Sequence, residues 1–198
     1  MSDVMAKGKN GDYSAVRRNY MAELICERLS GNPTEGYFGK DMQWGVDNEP
    51  LARSAYEAEK LVAVQQIGFV NHPTIKHFGA SPDGLVGLEG GIEIKCPKTA
   101  THIFDNLLQP EKIDREYVLQ MYAQAACTKR KWCDFVSYDP RLPEDKSISI
   151  YRLEFSQNVI DEVEEAAIKF LAELEAVVDR IFEKRPQGRE EYIERWRS

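Results

Sequence analysis

The sequence predicts an α/β fold, with helices at both ends and strands between them. Apolar residues recur at helical spacing after Ser14 and again, over a longer stretch, from about Asn158 to Glu183. Between those limits Gly91–Cys96, Cys133–Tyr138 and Ser147–Phe155 alternate in character, as strands with one inward face do. A third helical pattern, Ile113–Thr128, divides the strands into two groups. Periodicity carries the reading that far and does not fix the topology.

Taken in order, Ser14 can cap a helix through Val16, Tyr20, Leu24 and Leu29, which Gly31 ends before Pro33. A second helical stretch surrounds Leu51–Ala58. Pro50 either opens it at the first position or kinks a longer helix that starts near Lys40. Strand-like segments follow at Val62–Val70, around His77–Ala80 with Leu85–Leu88, and at Gly91–Cys96. The helix Ile113–Thr128 carries Val118, Met121, Tyr122, Ala125 and Ala126. The turn-rich stretch Asp139–Lys146 links the last two strands. The closing helix offers Ile160, Val163, Ala167, Phe170, Leu174, Val177 and Ile181 as its apolar stripe. From Arg185 onward a mixed-charge tail reads as loosely packed.

At 198 residues the chain fits one domain with a sizeable core. On this reading N-terminal helices span about 14–60, an α/β core about 61–155, and the last helix and tail follow from about 157. No apolar run is long enough to cross a bilayer, and Met1–Lys7 has no secretory h-region, which points to the cytoplasm and away from membranes. The four cysteines, Cys26, Cys96, Cys127 and Cys133, have no C-x-x-C spacing and read as reduced thiols. A net charge of −7 does not by itself suggest a nucleic-acid partner. Much of the acidity, however, lies on the last helix, while Arg17-Arg18, Lys95 with Lys98, and Lys129-Arg130-Lys131 form basic clusters.

The densest chemistry lies between Ser81 and Lys98. As a strand, Gly91–Cys96 sends Ile92, Ile94 and Cys96 to one face and Glu93 with Lys95 to the other. Pro82-Asp83-Gly84 makes a turn that returns Asp83 beside Glu93. Two adjacent carboxylates are a hard-oxygen site suited to Mg²⁺, and Lys95 adds a positive charge there. Just past the strand, Lys98, Thr99 and His102 are candidates for touching a phosphate, and Arg17 and Arg18 for reaching a DNA backbone.

These residues resemble a known family. Ser81-Pro82-Asp83-Gly84-Leu85 followed by Glu93-Ile94-Lys95-Cys96-Pro97 is similar to the nuclease core of the phage lambda exonuclease family, the YqaJ-like viral recombinases. Trp44-Gly45-Val46-Asp47-Asn48-Glu49 resembles its Trp-Gly…Glu element, Tyr117-Val118-Leu119-Gln120 its Gln-bearing helix, and Tyr138-Asp139-Pro140-Arg141 a later strand end. The resemblance implies a restriction-endonuclease-like (PD-(D/E)xK) core, a mixed sheet flanked by helices. It implies Mg²⁺, with Mn²⁺ able to substitute, held by Asp83, Glu93 and the backbone carbonyl of Ile94. Lys95 orients water or stabilises transition-state charge, and Glu49 and Gln120 assist catalysis.

The implied activity is 5′→3′ resection of linear duplex DNA to 5′-mononucleotides, leaving a 3′ single-stranded tail. The implied setting is a homotrimeric ring acting beside a single-strand annealing protein in a bacterial host. The family's upstream segment, which captures a 5′-terminal phosphate, has no counterpart in Met1–Ala6. Either another basic group does that work or the segment lies before this start. The cysteine spacing does not resemble the iron–sulfur site of some related nucleases. An endonuclease on the same core, or a non-catalytic module that grips DNA ends, are the rival readings.

Overall fold

The protein is described from a computed structural model covering residues 1–34, 36, 39–184 and 188–197. Its helices are α1 (Ala15–Ser30), α2 (Lys40–Lys60), α3 (Thr99–Thr101), α4 (Arg115–Thr128), α5 (Gln157–Lys184) and α6 (Arg189–Tyr192). Its strands are β1 (Val64–Gln65), β2 (Val70–Asn71), β3 (Gly79–Ala80), β4 (Gly84–Val86), β5 (Gly90–Lys95), β6 (Trp132–Tyr138) and β7 (Ile148–Glu154). The chain divides into two compact units, residues 38–164 and residues 1–37 with 165–198.

The first of these units is built on a five-stranded mixed sheet, ordered β1-β4-β5-β6-β7. β4 and β5 pair antiparallel through a tight turn, whereas β5 and β6 run parallel, with Glu93 opposite Phe135. A parallel pair needs a long crossover, and α3, the π-helical segment His102–Leu107, and α4 supply it. Strand alternation then sorts the side chains. Ile92, Ile94 and Val136 pack with Ala52 and Tyr56 of α2 on one face. Cys133 and Phe135 meet Met121, Tyr117 and Val118 of α4 on the other. Helices therefore cover both faces, and residues 93 and 95 face the α4 side.

One buried charge fastens α2 to its face of the sheet. Asp134 takes the Tyr56 hydroxyl at 2.8 Å and a two-pronged bond from Arg152 at 2.7 and 2.9 Å. The Arg152 guanidinium in turn lies 3.5 Å above the Trp132 ring.

In the other unit, Ser14 caps α1 by accepting the Arg17 N–H, and Gly31 closes it in the left-handed conformation. Its core is Val4, Phe170, Leu174, Val178, Phe182 and Tyr192, joined by Tyr20, Met21, Leu24 and Ile25. Two expectations shift here. Val16 and Leu29 are exposed, and the inner face of α1 instead buries Arg17 and Arg28, paired with Glu173 and Glu175. The stripe of α5 advances by fours after Leu174 to Val178 and Phe182, leaving Ile181 outside.

The tail also departs from its loose reading. Residues 185–187 and 198 lie outside the described residues, but α6 follows and buries Tyr192 against Phe182, with 5.3 Å between ring centroids. Of the Pro50 alternatives, the longer helix forms, with the proline inside α2. The Val62–Val70 strand shrinks to the two-residue β1 and β2.

Removing the Asp134 carboxylate strands a buried tyrosine hydroxyl and a guanidinium. Asp134→Ala is expected to lower stability by about 2 kcal/mol, read as an earlier midpoint in urea denaturation.

Candidate active site

The hairpin β4–β5 brings the acid pair together. β4 starts at Gly84, opposite Ile92, so the Ile94 N–H lies beyond the last β4–β5 pair. Asp83 Oδ2 accepts that N–H at 2.7 Å, which fixes the carboxylate at the strand end beside Glu93. Glycine follows it for a steric reason. A Cβ at Gly84 would fall 2.3 Å from Val64 Cγ1 of β1, inside van der Waals contact.

Glu93 is wholly shielded from solvent on the sheet face beneath α4. Its Oε2 accepts the Gln124 Nε2–H at 2.6 Å. Its Oε1 lies 2.5 Å from Lys95 Nζ in an ion pair. The Lys95 ammonium also sits 4.8 Å from the centre of the Tyr117 ring, a cation–π contact from α4.

Electrostatics follow from that crowding. Burial, and next the Glu93 charge, push the Asp83 carboxyl up to about 7, against the Ile94 hydrogen bond and Lys95. Burial alone would lower Lys95, yet Glu93 and Asp83 outweigh it and hold the ammonium above the ordinary lysine range. Lys95 therefore remains charged at neutral pH and is unsuited to act as a base. Burial likewise drives the neighbouring Cys96 thiol up to about 11, keeping it un-ionised.

Glu49 reaches the same neighbourhood from α2. It ion-pairs with Arg53 one turn later, and Arg53 Nη2 lies 3.4 Å from the Asp83 carbonyl oxygen. Arg53 is buried, and nothing in its sequence neighbours signals that it bridges Glu49 to the Asp83 segment.

Gln120, the residue expected on α4, is half-buried, and its side chain makes no hydrogen bond to another described residue. The glutamine that touches Glu93 is Gln124, one turn on. Its helical spacing from Tyr117 and Gln120 was a legible signal, since residues at i, i+3 and i+7 share a face.

The candidates for phosphate contact fare differently. His102 is fully buried, with Nδ1 at 2.7 Å from Ser137 Oγ and Nε2 at 3.0 Å from the Lys146 carbonyl oxygen, so both ring nitrogens are engaged inside the fold. It is a packing residue, which corrects the sequence expectation. Thr99 Oγ1 donates to Asp139 at 2.6 Å, and Lys98 is exposed, paired with Asp41 at 3.1 Å. Asp139 is itself buried, and although burial opposes it, bonds from Arg141 and Thr99 hold its carboxyl down at about 2. Arg141 also stacks over the Trp44 ring at 4.4 Å, tying the Tyr-Asp-Pro-Arg turn to α2.

Arg17, in the other unit, is only 4 % exposed. It donates to the Val4 carbonyl oxygen and pairs with Glu173 at 2.8 Å, so it holds that unit together rather than presenting a cation. Arg18 is exposed.

A mixed sheet with helices on both faces, carrying an acid, a second acid and a lysine at one strand end, defines the restriction-endonuclease-like nuclease class. The chain belongs to the YqaJ-like viral recombinase family, whose domain it matches over residues 4–131. It is 48 % identical to LHK-Exo, an alkaline exonuclease from Laribacter hongkongensis, whose crystal structures include one in complex with dAMP. The match covers 92 % of this chain and 89 % of that one, with a TM-score of 0.83. A phage-related exonuclease from Haemophilus somnus 129PT shares the fold at 17 % identity, TM-score 0.70, over 90 % of this chain and 92 % of that one. A comparison with curated proteins returned no match.

The raised Asp83 carboxyl has a consequence for stability. The folded protein binds this proton more tightly than the unfolded chain, whose carboxyl titrates near 3.8. The stabilisation is full below that value and is lost as pH rises through about 7. Urea denaturation without divalent cations is expected to show stability falling across this window, and Asp83→Asn to flatten the fall.

Proposed function

We propose that this chain is a Mg²⁺-dependent 5′→3′ exonuclease that resects linear duplex DNA, releasing 5′-mononucleotides and leaving a 3′ single-stranded tail. That it is an exonuclease, a phosphodiester hydrolase, follows from the family and from the 48 % identical alkaline exonuclease. The finer reading rests on one observation: a fully buried carboxylate, Glu93, beside a second carboxylate and ion-paired through Oε1 with Lys95.

The residues fit a magnesium ion. Among the described residues no three His, Cys, Asp or Glu side chains gather as a metal cage. Magnesium does not need one, because it takes a few hard oxygens and keeps several waters. Asp83 and Glu93 Oε1, with the Ile94 carbonyl implied by the family resemblance, are the donors that would hold it, and Mn²⁺ could replace it. When bound, the ion would polarise the scissile phosphate and lower the pKa of a water.

The chain's own groups do the rest. Lys95, held as an ammonium by Glu93 and the Tyr117 ring, stabilises charge that grows on the phosphorane oxygens. Asp83 is fixed at the strand end by its backbone bond and so needs no reorganisation. Glu49 adds a carboxylate at the edge, restrained by Arg53. Gln120 sits on the same helix face as Tyr117, where it can contact a phosphate or a water.

The same reading includes a homotrimeric ring, a single-strand annealing protein as partner, and work in the bacterial cytoplasm. No helix among the described residues is long and apolar enough to cross a membrane. A ring helps an acidic chain, because cations enclosed around a channel hold DNA better than the same charges on a convex face.

The reaction is tested with Mg²⁺ and linear duplexes labelled at either end, beside a circular control. Ordered loss of the 5′ label as mononucleotide, with the circle intact, is expected, and cutting of the circle would reassign the enzyme as an endonuclease. Lys95→Ala is expected to reduce kcat by on the order of 10²–10³, with DNA-end affinity nearly unchanged because grip is spread over many phosphate contacts. Light scattering is expected to give the mass of three chains, and a mass of one or two would remove the ring.

A further inference from the structure

The two oxygens of Glu93 are not equivalent. Oε2 is engaged by the neutral Gln124 amide at 2.6 Å, whereas Oε1 is shielded and ion-paired with the Lys95 ammonium at 2.5 Å. Gln124 is itself 5 % exposed, so water does not substitute for it readily. Its amide nitrogen also lies 3.4 Å from the Ser81 carbonyl oxygen, in the segment that delivers Asp83. One amide NH₂ has two hydrogens, and here they point to the two segments that carry the acid pair.

We infer that Gln124 is a positioning residue that ties up Glu93 Oε2, so that Oε1 is the oxygen presented to the divalent cation. The inference rests on the metal-dependent reading proposed above and adds a residue that the acid–acid–lysine motif does not contain. The chemistry favours an amide at this place. A donor nitrogen without a lone pair cannot itself compete for the cation. A carboxylate would put a further negative charge against Glu93. Asparagine, one methylene shorter, would not reach Oε2. Without the donor, Oε2 is a buried acceptor with no partner, and the carboxylate turns towards the nearest cation, Lys95, with either oxygen. The ion would then meet a site whose geometry is no longer fixed in advance.

The test separates this role from simple packing. Mn²⁺ binding to the DNA-free protein is measured by calorimetry and by the spin-resonance signal of free Mn²⁺, for wild type, Gln124→Met and Gln124→Asn. Thermal melting is followed in parallel. Methionine keeps the volume without a donor, and asparagine keeps the amide without its reach. For both variants the Mn²⁺ Kd is expected to rise about tenfold or more, with kcat reduced and KM for DNA ends unchanged. Should one variant fail to fold, the other still reports. A folded variant that binds Mn²⁺ within about twofold of wild type, whatever its melting temperature, overturns the inference and leaves the metal-dependent reading standing. Wild-type protein that takes up no Mn²⁺ overturns both.

Discussion

A carboxylate removed from water loses several kcal/mol of hydration unless donors or cations replace it, and Glu93 has no exposed surface at all. Its surroundings read as the set of compensations this demands. Lys95 comes from the same strand two residues on, Gln124 from the helix above, and the Tyr117 ring steadies the lysine from that same helix. Asp83 works against the arrangement, and part of its charge is answered by the Ile94 N–H. The parallel pairing of β5 and β6 is what puts α4 above residues 93 and 95, so the topology and the site have a common cause.

Most elements were legible because their signals are local. The Ser14 cap, the Gly31 stop, the alternation of β5, β6 and β7, and the apolar stripe of α5 as far as Leu174 depend on spacing alone. Spacing was ambiguous where a local rule met a tertiary one. Pro50 could open a helix or sit inside one, and in the folded chain α2 runs through it from Lys40 to Lys60. Val62–Val70 has the composition of a strand but finds a partner only at its ends, where Val64 meets Val86 and Val70 meets Ala80.

In the site, sequence identified the residues whose types are rare together, Asp83, Glu93 and Lys95, and the structure brings these three side by side. It was blind to roles set by depth. Arg17 and His102 look like surface groups in a string of letters. One is locked between Val4 and Glu173 in its own unit, the other between Ser137 and Lys146 in the sheet unit. Gln124 differs from Gln120 by a single helical turn. Only the height of the helix over the strand decides which of them meets Glu93. Arg53 was hidden for the same reason, because its partners, Glu49 and the Asp83 carbonyl, lie on different segments.

The long crossover between β5 and β6 also separates the contacts of the site by chain length. The contact from Asp83 to Ile94 spans 11 residues and that from Gln124 to Glu93 spans 31. Closing the longer loop loses only about 0.9 kcal/mol more chain entropy, but it requires a helix to form and a parallel strand to dock. The two carboxylates are therefore brought together by a local hairpin, whereas the amide that holds one of them depends on the whole crossover being folded. The hairpin itself supplies Lys95 and the Ile94 N–H against those charges, and the Gln124 amide reaches Glu93 only with α4 in place over the strand.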